Sequence, residues 1–163
     1  MPQTEMIAQN LTRDLNIMTM FLSDLSDADL MVRPVEGANH AIWQLGHLVV
    51  SESHLVNAAH PGAVPPTPAV FAEKFKKDNA KIDDPNFFPK KAEILDAFTK
   101  GRNATVAWVK TLTPADLDRP ITGPTARFAD SIGLMLVNLP WHSSMHAGQI
   151  QVLRRKLNKP ILI

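Results

Sequence analysis

The chain contains no cysteine in 163 residues, which excludes disulfides, thiolate metal ligands and a cysteine nucleophile. Any metal must therefore be held by histidine or carboxylate. Tyrosine is absent too, and alternating β-branched runs are scarce, so strands have little to build on. Neither sign of charge dominates: 17 Lys and Arg against 16 Asp and Glu leave a formal +1. That balance supplies no basic field for nucleic acid, and nothing acidic enough for disorder. No stretch approaches the ~20 uninterrupted apolar residues of a membrane span. Residues Met1 to Glu5 lack the basic region and apolar run of a secretion signal. A cytoplasmic protein with no membrane partner is expected.

What is present is helical periodicity, interrupted by 13 prolines that fall mostly between apolar runs. The length suits one domain, residues 1–163, with a real core. From Thr4 to about Leu25, Ile7, Leu11, Leu15, Met18, Leu22 and Leu25 recur at spacings of four and three, which predicts a first amphipathic helix. Ser26-Asp27-Ala28-Asp29 then reads as a capping-box variant that opens a short turn ending at Arg33-Pro34. Asn39 can cap a second helix from about His40 to Ala59, stopped by Pro61-Gly62. His40, His47 and His54 share a stripe on it at intervals of seven. Two turns separate neighbours by about 10 Å, so at most one of them can join a mononuclear site.

Residues 60–89 form a long connection with one short helical candidate, Ala69 to Lys77. Connections of that length either cover a site or cross between distant helices. A third helix is expected from about Lys90 to Leu112, with Ile94, Leu95, Phe98, Val106, Val109 and Leu112 inward. The segment Leu112-Thr-Pro-Ala-Asp-Leu117 repeats the device Leu25-Ser-Asp-Ala-Asp-Leu30, each copy following a long amphipathic helix and preceding one with histidines. Asp130 can cap a fourth helix reaching about Leu157. Pro140 inside it removes the bond to the Leu136 carbonyl and predicts a kink; the alternative is two helices, with Pro140 in the first turn of the second. Arg154, Arg155 and Lys156 at its carboxyl end would offset the helix dipole. The apolar tail Pro160 to Ile163 should pack on the bundle or on a second subunit. The fold class is all-α: a four-helix bundle with a long crossover between helices 2 and 3.

Chemistry concentrates in Trp141 to Ile150. His142 and His146, four residues apart on a helix, project from one face one turn apart and can reach one small cation. The zinc-protease version of this spacing carries glutamate directly after the first histidine; Ser143 stands there, so that chemistry is excluded. The pair alone is equally consistent with ordinary hydrogen-bonded histidines. His47 from the second helix would bring the set to three neutral nitrogens and leave coordination positions open for water or substrate. Gln44, Asn138 and Gln149 lie at three- and four-residue offsets from these histidines, where they could orient the rings or simply satisfy themselves. Glu52, five residues after His47, points away and has no claim as a general base.

The segments Arg33-Pro34 through Asn39-His40-Ala41-Ile42-Trp43-Gln44-Leu45-Gly46-His47-Leu48, and His142-x-x-x-His146-Ala-Gly148-Gln149-Ile150, resemble the two characteristic stretches of the DinB/YfiT-like superfamily. That name is shared with a DNA polymerase, to which the chain bears no likeness. The resemblance spans nearly the full length in helix order. It implies an up-down-down-up bundle whose triad, matched by His47, His142 and His146, binds a divalent metal, usually zinc or nickel. It further implies a small-molecule substrate and frequent homodimers. Characterised relatives include transferases and isomerases that use low-molecular-weight thiols such as mycothiol, bacillithiol or glutathione-like compounds. Pro140-Trp141, just before His142, departs from the family pattern.

On this basis the expected function is a metal-dependent enzyme of the small-thiol S-transferase type acting on a small electrophile. With no thiol of its own, the chain must receive one as a cofactor, and a cation favours its ionised form. A metal-binding or ligand-binding stress-response module without turnover, and a metal-dependent hydrolase, are the alternatives, since either would keep the same triad.

Overall fold

A computed structural model describes residues 1–162; Ile163, the last residue of the apolar tail, lies outside them. Four long helices form, α1 (Gln3–Leu22), α3 (Ala41–Ala59), α5 (Lys91–Val109) and α7 (Ile132–Lys156), with short helices α2 (Asp27–Leu30), α4 (Ala69–Lys74) and α6 (Pro114–Leu117) between them. Two 3-10 turns, Lys77–Lys81 and Gly123–Arg127, complete the set, and no strand forms among the described residues.

The apolar core divides into two clusters, and their membership fixes the topology. One gathers Leu15, Met18 and Leu22 of α1, Leu45 and Val49 of α3, Ile94 and Phe98 of α5, and Ala147, Ile150 and Leu153 of α7. The other holds Ala8 and Leu11, Leu55 and Val56, Trp108 and Val109, and Ile132, Met135, Leu136 and Leu139. The carboxyl halves of α1 and α7 thus share a layer with the amino halves of α3 and α5. So α1 and α7 are parallel, α3 and α5 are parallel, and the two pairs oppose each other: up-down-down-up. The dominant contacts are α1 with α5 and α7, and α3 with the same two, which puts α1 and α3 on a diagonal. Because α3 and α5 run the same way, their connection must travel back along the bundle, which is why the crossover is long.

Between the two apolar layers lies a buried polar one. Arg102 of α5, 1% exposed, donates to both Glu52 carboxylate oxygens of α3 (3.0 and 2.9 Å), to Asp14 Oδ2 of α1 (2.6 Å) and to Ser143 Oγ of α7 (3.1 Å). Thr105 adds a bond to Glu52 at 2.7 Å. One guanidinium therefore ties all four long helices. Glu52 and Asp14 hold Arg102 protonated against the burial that opposes its charge, while burial raises the Asp14 pKa despite the arginine.

Both short turns expected as capping devices are capping boxes, Ser26 with Asp29 and Thr113 with Asp116. The caps of α3 and α7 fall one residue later than the sequence suggested. Asn39 does not cap α3; His40 does, with Nδ1 accepting from the Trp43 N–H at 3.2 Å. Asp130 does not cap α7; Ser131 does, accepting from the Leu134 N–H. The fourth helix runs unbroken through Pro140, so the two-helix alternative is not realised. Arg154, Arg155 and Lys156 stand in the last turn of α7 as expected, and Arg154 does more than offset the dipole. It is fully buried, donating to the Phe21 and Pro160 carbonyls and pairing with Asp24, so it anchors the tail to the end of α1. Leu162 packs against the first cluster while Ile161 is exposed. Among the described residues no helix is long and apolar enough to cross a membrane.

Candidate metal centre

Two helices build the site. On α7 the i, i+4 spacing sets His142 and His146 on one face, with Nε2 of one 3.3 Å from Nε2 of the other. On antiparallel α3, His47 faces them, its ring centroid 5.2 Å from that of His142 and 5.7 Å from that of His146. One nitrogen from each of the three lies within 4.8 Å of the others, and the group could hold a metal ion. Two nitrogens bound to one tetrahedral zinc at ~2.0–2.1 Å stand ~3.3 Å apart, so the α7 pair already has ligand spacing.

The surroundings fix the rings. His146 Nδ1 lies 2.9 Å from Gln44 Oε1; an amide oxygen can only accept, so Nδ1 carries the proton and Nε2 keeps its lone pair toward the other histidines. Gln44 is buried and itself held, donating to the Asn39 carbonyl at 2.6 Å. The Trp43 indole stacks on His47, centroids 4.9 Å apart and planes within 5°, and Ser51 Oγ makes a long contact with the same ring at 3.4 Å. Burial lowers the pKa of all three histidines. His47 and His146 are pushed down to about 4, with the neighbouring rings adding to the effect; His142 is lowered by burial first and then by the positive charge of Arg102. Neutral imidazole is the form a metal requires. The donor set therefore fits a divalent ion: three neutral nitrogens, one tautomer locked, and no thiolate that would fill the remaining positions.

The triad forms part of the wall of an open pocket of about 820 Å³. Among the described residues Asp83 is the only carboxylate lining it, and Arg33 donates twice to its Oδ1, at 3.0 and 2.6 Å. Arg33 offsets the charge of Asp83 without enclosing it, since the Asp83 side chain stays 69% exposed.

A profile of the DinB superfamily matches residues 10–150, from α1 into the His142 to Ile150 stretch. The chain belongs to the DinB superfamily. No curated protein sequence matches it. Among solved structures, this DinB chain is similar to YfiT from Bacillus subtilis, described as a probable metal-dependent hydrolase with an unusual four-helix bundle topology. The two share 18% identity, with 96% of this chain and 89% of that one covered at a TM-score of 0.69. It is also similar to a conserved protein of Enterococcus faecalis, at 16% identity, 98% and 99% coverage and a TM-score of 0.72. At such identities the likeness concerns the DinB fold.

The three candidate ligands are brought together. The other two histidines of the α3 stripe are not: His40 is spent on the cap and on the Ile82 carbonyl at 2.9 Å, and His54 is exposed. Of the three orienting candidates only Gln44 meets a histidine. Asn138 donates to the Phe128 carbonyl at 2.9 Å, and Gln149 is exposed. Glu52 points away from the triad as expected, into the Arg102 layer. That layer was missed by sequence reasoning. Its signal was available, because Asp14, Glu52 and Arg102 occupy inward positions at helical spacing from Leu11, Leu48 and Phe98, where a charge must find a buried partner.

Proposed function

We propose that this DinB-superfamily chain is a divalent-metal-dependent enzyme of the small-thiol S-transferase type, acting on a small electrophile, with zinc or nickel held by His47, His142 and His146. The observation that carries the reading is three neutral imidazole nitrogens within 4.8 Å of one another on the wall of an open pocket. A bound divalent ion would supply a Lewis acid that favours ionised sulfur or oxygen over the protonated form. The protein's part is to keep the rings neutral by burial, to fix His146 through Gln44 and to hold His47 flat against Trp43. The chain has no cysteine, so the thiol arrives as a second small molecule.

Metal-dependent hydrolysis is the second reading, favoured by the description of YfiT and compatible with the same triad. The test is a panel of low-molecular-weight thiols with electrophiles, and of ester and amide substrates without thiol, given to zinc-loaded and nickel-loaded protein. Thiol-dependent turnover that disappears in His47→Ala supports the transferase, and turnover without thiol supports the hydrolase. No rate above the His47→Ala control in either panel would leave a binding module.

A second copy of the chain is the proposed protein partner. Leu134, Val137, Trp141, Met145 and Val152 recur at helical intervals on α7 and are exposed, Trp141 by 58%. Since α7 also buries its opposite face, it is apolar on two sides, as expected of a helix covered on both.

A further inference from the structure

The crossover contributes more to the pocket than a cover. Its 3-10 turn, Lys77–Lys81, brings Lys77 and Lys81 to the same cavity as the triad. The turn is held at both ends and in the middle by residues that frame the site. Trp43 Nε1 donates to the Lys76 carbonyl at 3.1 Å, the Arg33 guanidinium donates to the Ala80 carbonyl at 3.0 Å, and His40 Nε2 donates to the Ile82 carbonyl at 2.9 Å. Just before it, the Phe75 ring fills the space beside Gly46 so closely that a Cβ there would lie 2.2 Å from it. Gly46 precedes His47, so crossover and metal-site helix interlock at the point where the triad begins.

Three hydrogen bonds to the turn and its two caps, and one ring contact just before it, fix the position of a segment that carries charge. Arg33 is already matched by Asp83. None of the ion pairs among the described residues involves Lys77 or Lys81, and both are exposed. Two lysines outside every ion pair among the described residues therefore line the cavity, while Asp83 on the same wall has its charge offset by Arg33. A cationic ligand meets only repulsion there; a neutral one leaves the charges unused. An anionic group close to two ammonium groups forms charge-assisted hydrogen bonds.

We propose that Lys77 and Lys81 form an anion-recognition wall that selects, for the triad pocket, small molecules bearing a carboxylate or phosphate group. This deepens the reading of the site as a small-molecule pocket, and it assigns specificity to the crossover instead of the bundle.

The test uses the full-length, metal-free chain and follows the backbone amide signals of residues 76–83 by NMR during titration with succinate, with inorganic phosphate and with neutral succinamide. Saturable shifts with succinate or phosphate, absent with succinamide, are expected. The Lys77→Ala/Lys81→Ala double variant should weaken that binding about tenfold or more. A Lys100→Ala/Lys110→Ala control, which removes the same charge elsewhere, should leave it unchanged. Saturation by one anion and not the other assigns the preferred headgroup. Equal binding of succinamide, or equal weakening in both double variants, overturns the proposal. Zinc stoichiometry of the Lys77→Ala/Lys81→Ala variant should match that of the wild type. The two readings therefore fail separately: a chain that binds no zinc leaves the anion titration standing, and a flat titration on a zinc-binding chain removes only the lysine wall.

Discussion

His146 gives its Nδ1 proton to Gln44 Oε1 across 2.9 Å, although the two residues stand 102 positions apart in the chain. The bond joins α7 to α3, and it decides which nitrogen of His146 turns toward His47 and His142. The orientation of a candidate metal ligand is thereby set by the antiparallel contact of two helices, not by its own helix.

Gln44→Leu removes that acceptor while preserving approximate size. Zinc affinity, measured by competition with a chromophoric chelator, should fall about 10–100-fold, the range seen when outer-shell partners of metal ligands are lost. Gln44→Glu, which still accepts, should retain most of it. Equal loss in both variants would mean that the amide oxygen is not what orients the ring.

Arg102 predicts a stability effect. Arg102→Met leaves Asp14 and Glu52 buried without their cation, and breaking a buried pair from one side costs about 3–5 kcal/mol. Urea unfolding of the metal-free protein measures this. Replacing Arg102, Asp14 and Glu52 together by apolar residues of similar volume should recover much of the loss, because no orphaned charge remains.

The histidines make stability pH-dependent in a known direction. His47 and His146 have folded-state pKa values of about 4, below the ordinary 6.5, because burial disfavours their charged form. Between those values the unfolded chain binds more protons than the folded one, so stability rises with pH. On acidification from about 6.5 to about 4 the metal-free protein should lose stability progressively, and His47→Ala should flatten part of that slope. Denaturant midpoints at several pH values check the sign; a midpoint that climbs on acidification through this window would contradict the burial of these rings.

Trp141→Glu places a charge in the middle of the exposed α7 stripe. Wild type should sediment at twice the 18.0 kDa chain mass, and the variant should shift toward the monomer without losing helicity. A wild type that sediments as a single chain would refute the second copy outright.

Much of this was legible in one dimension because helices advertise themselves locally. Apolar spacing gave the four long helices to within a few residues, and the two capping boxes stand where Ser26 and Thr113 suggested. The likeness of two short segments to a known family then implied the triad. Boundaries were less legible, because Asn39 and His40, or Asp130 and Ser131, are both competent caps, and the backbone's path chooses between them. Neither could the sequence apportion the polar residues near the site. Gln44, Asn138 and Gln149 have equivalent spacings, yet only the first faces a histidine across a helix interface.

By itself, then, the sequence determined the all-helical class, the exclusion of cysteine chemistry and the same-face placement of His142 and His146, since each depends on composition or on the 3.6-residue period. The tertiary structure brought His47, which the family likeness had named, to the other two histidines, and it alone decided that one arginine fastens four helices. It alone put a turn of the crossover, with its two lysines, beside the triad. Those outcomes depend on which helix faces share an interface and on where burial strips water from charge, quantities that do not exist until the chain has folded on itself.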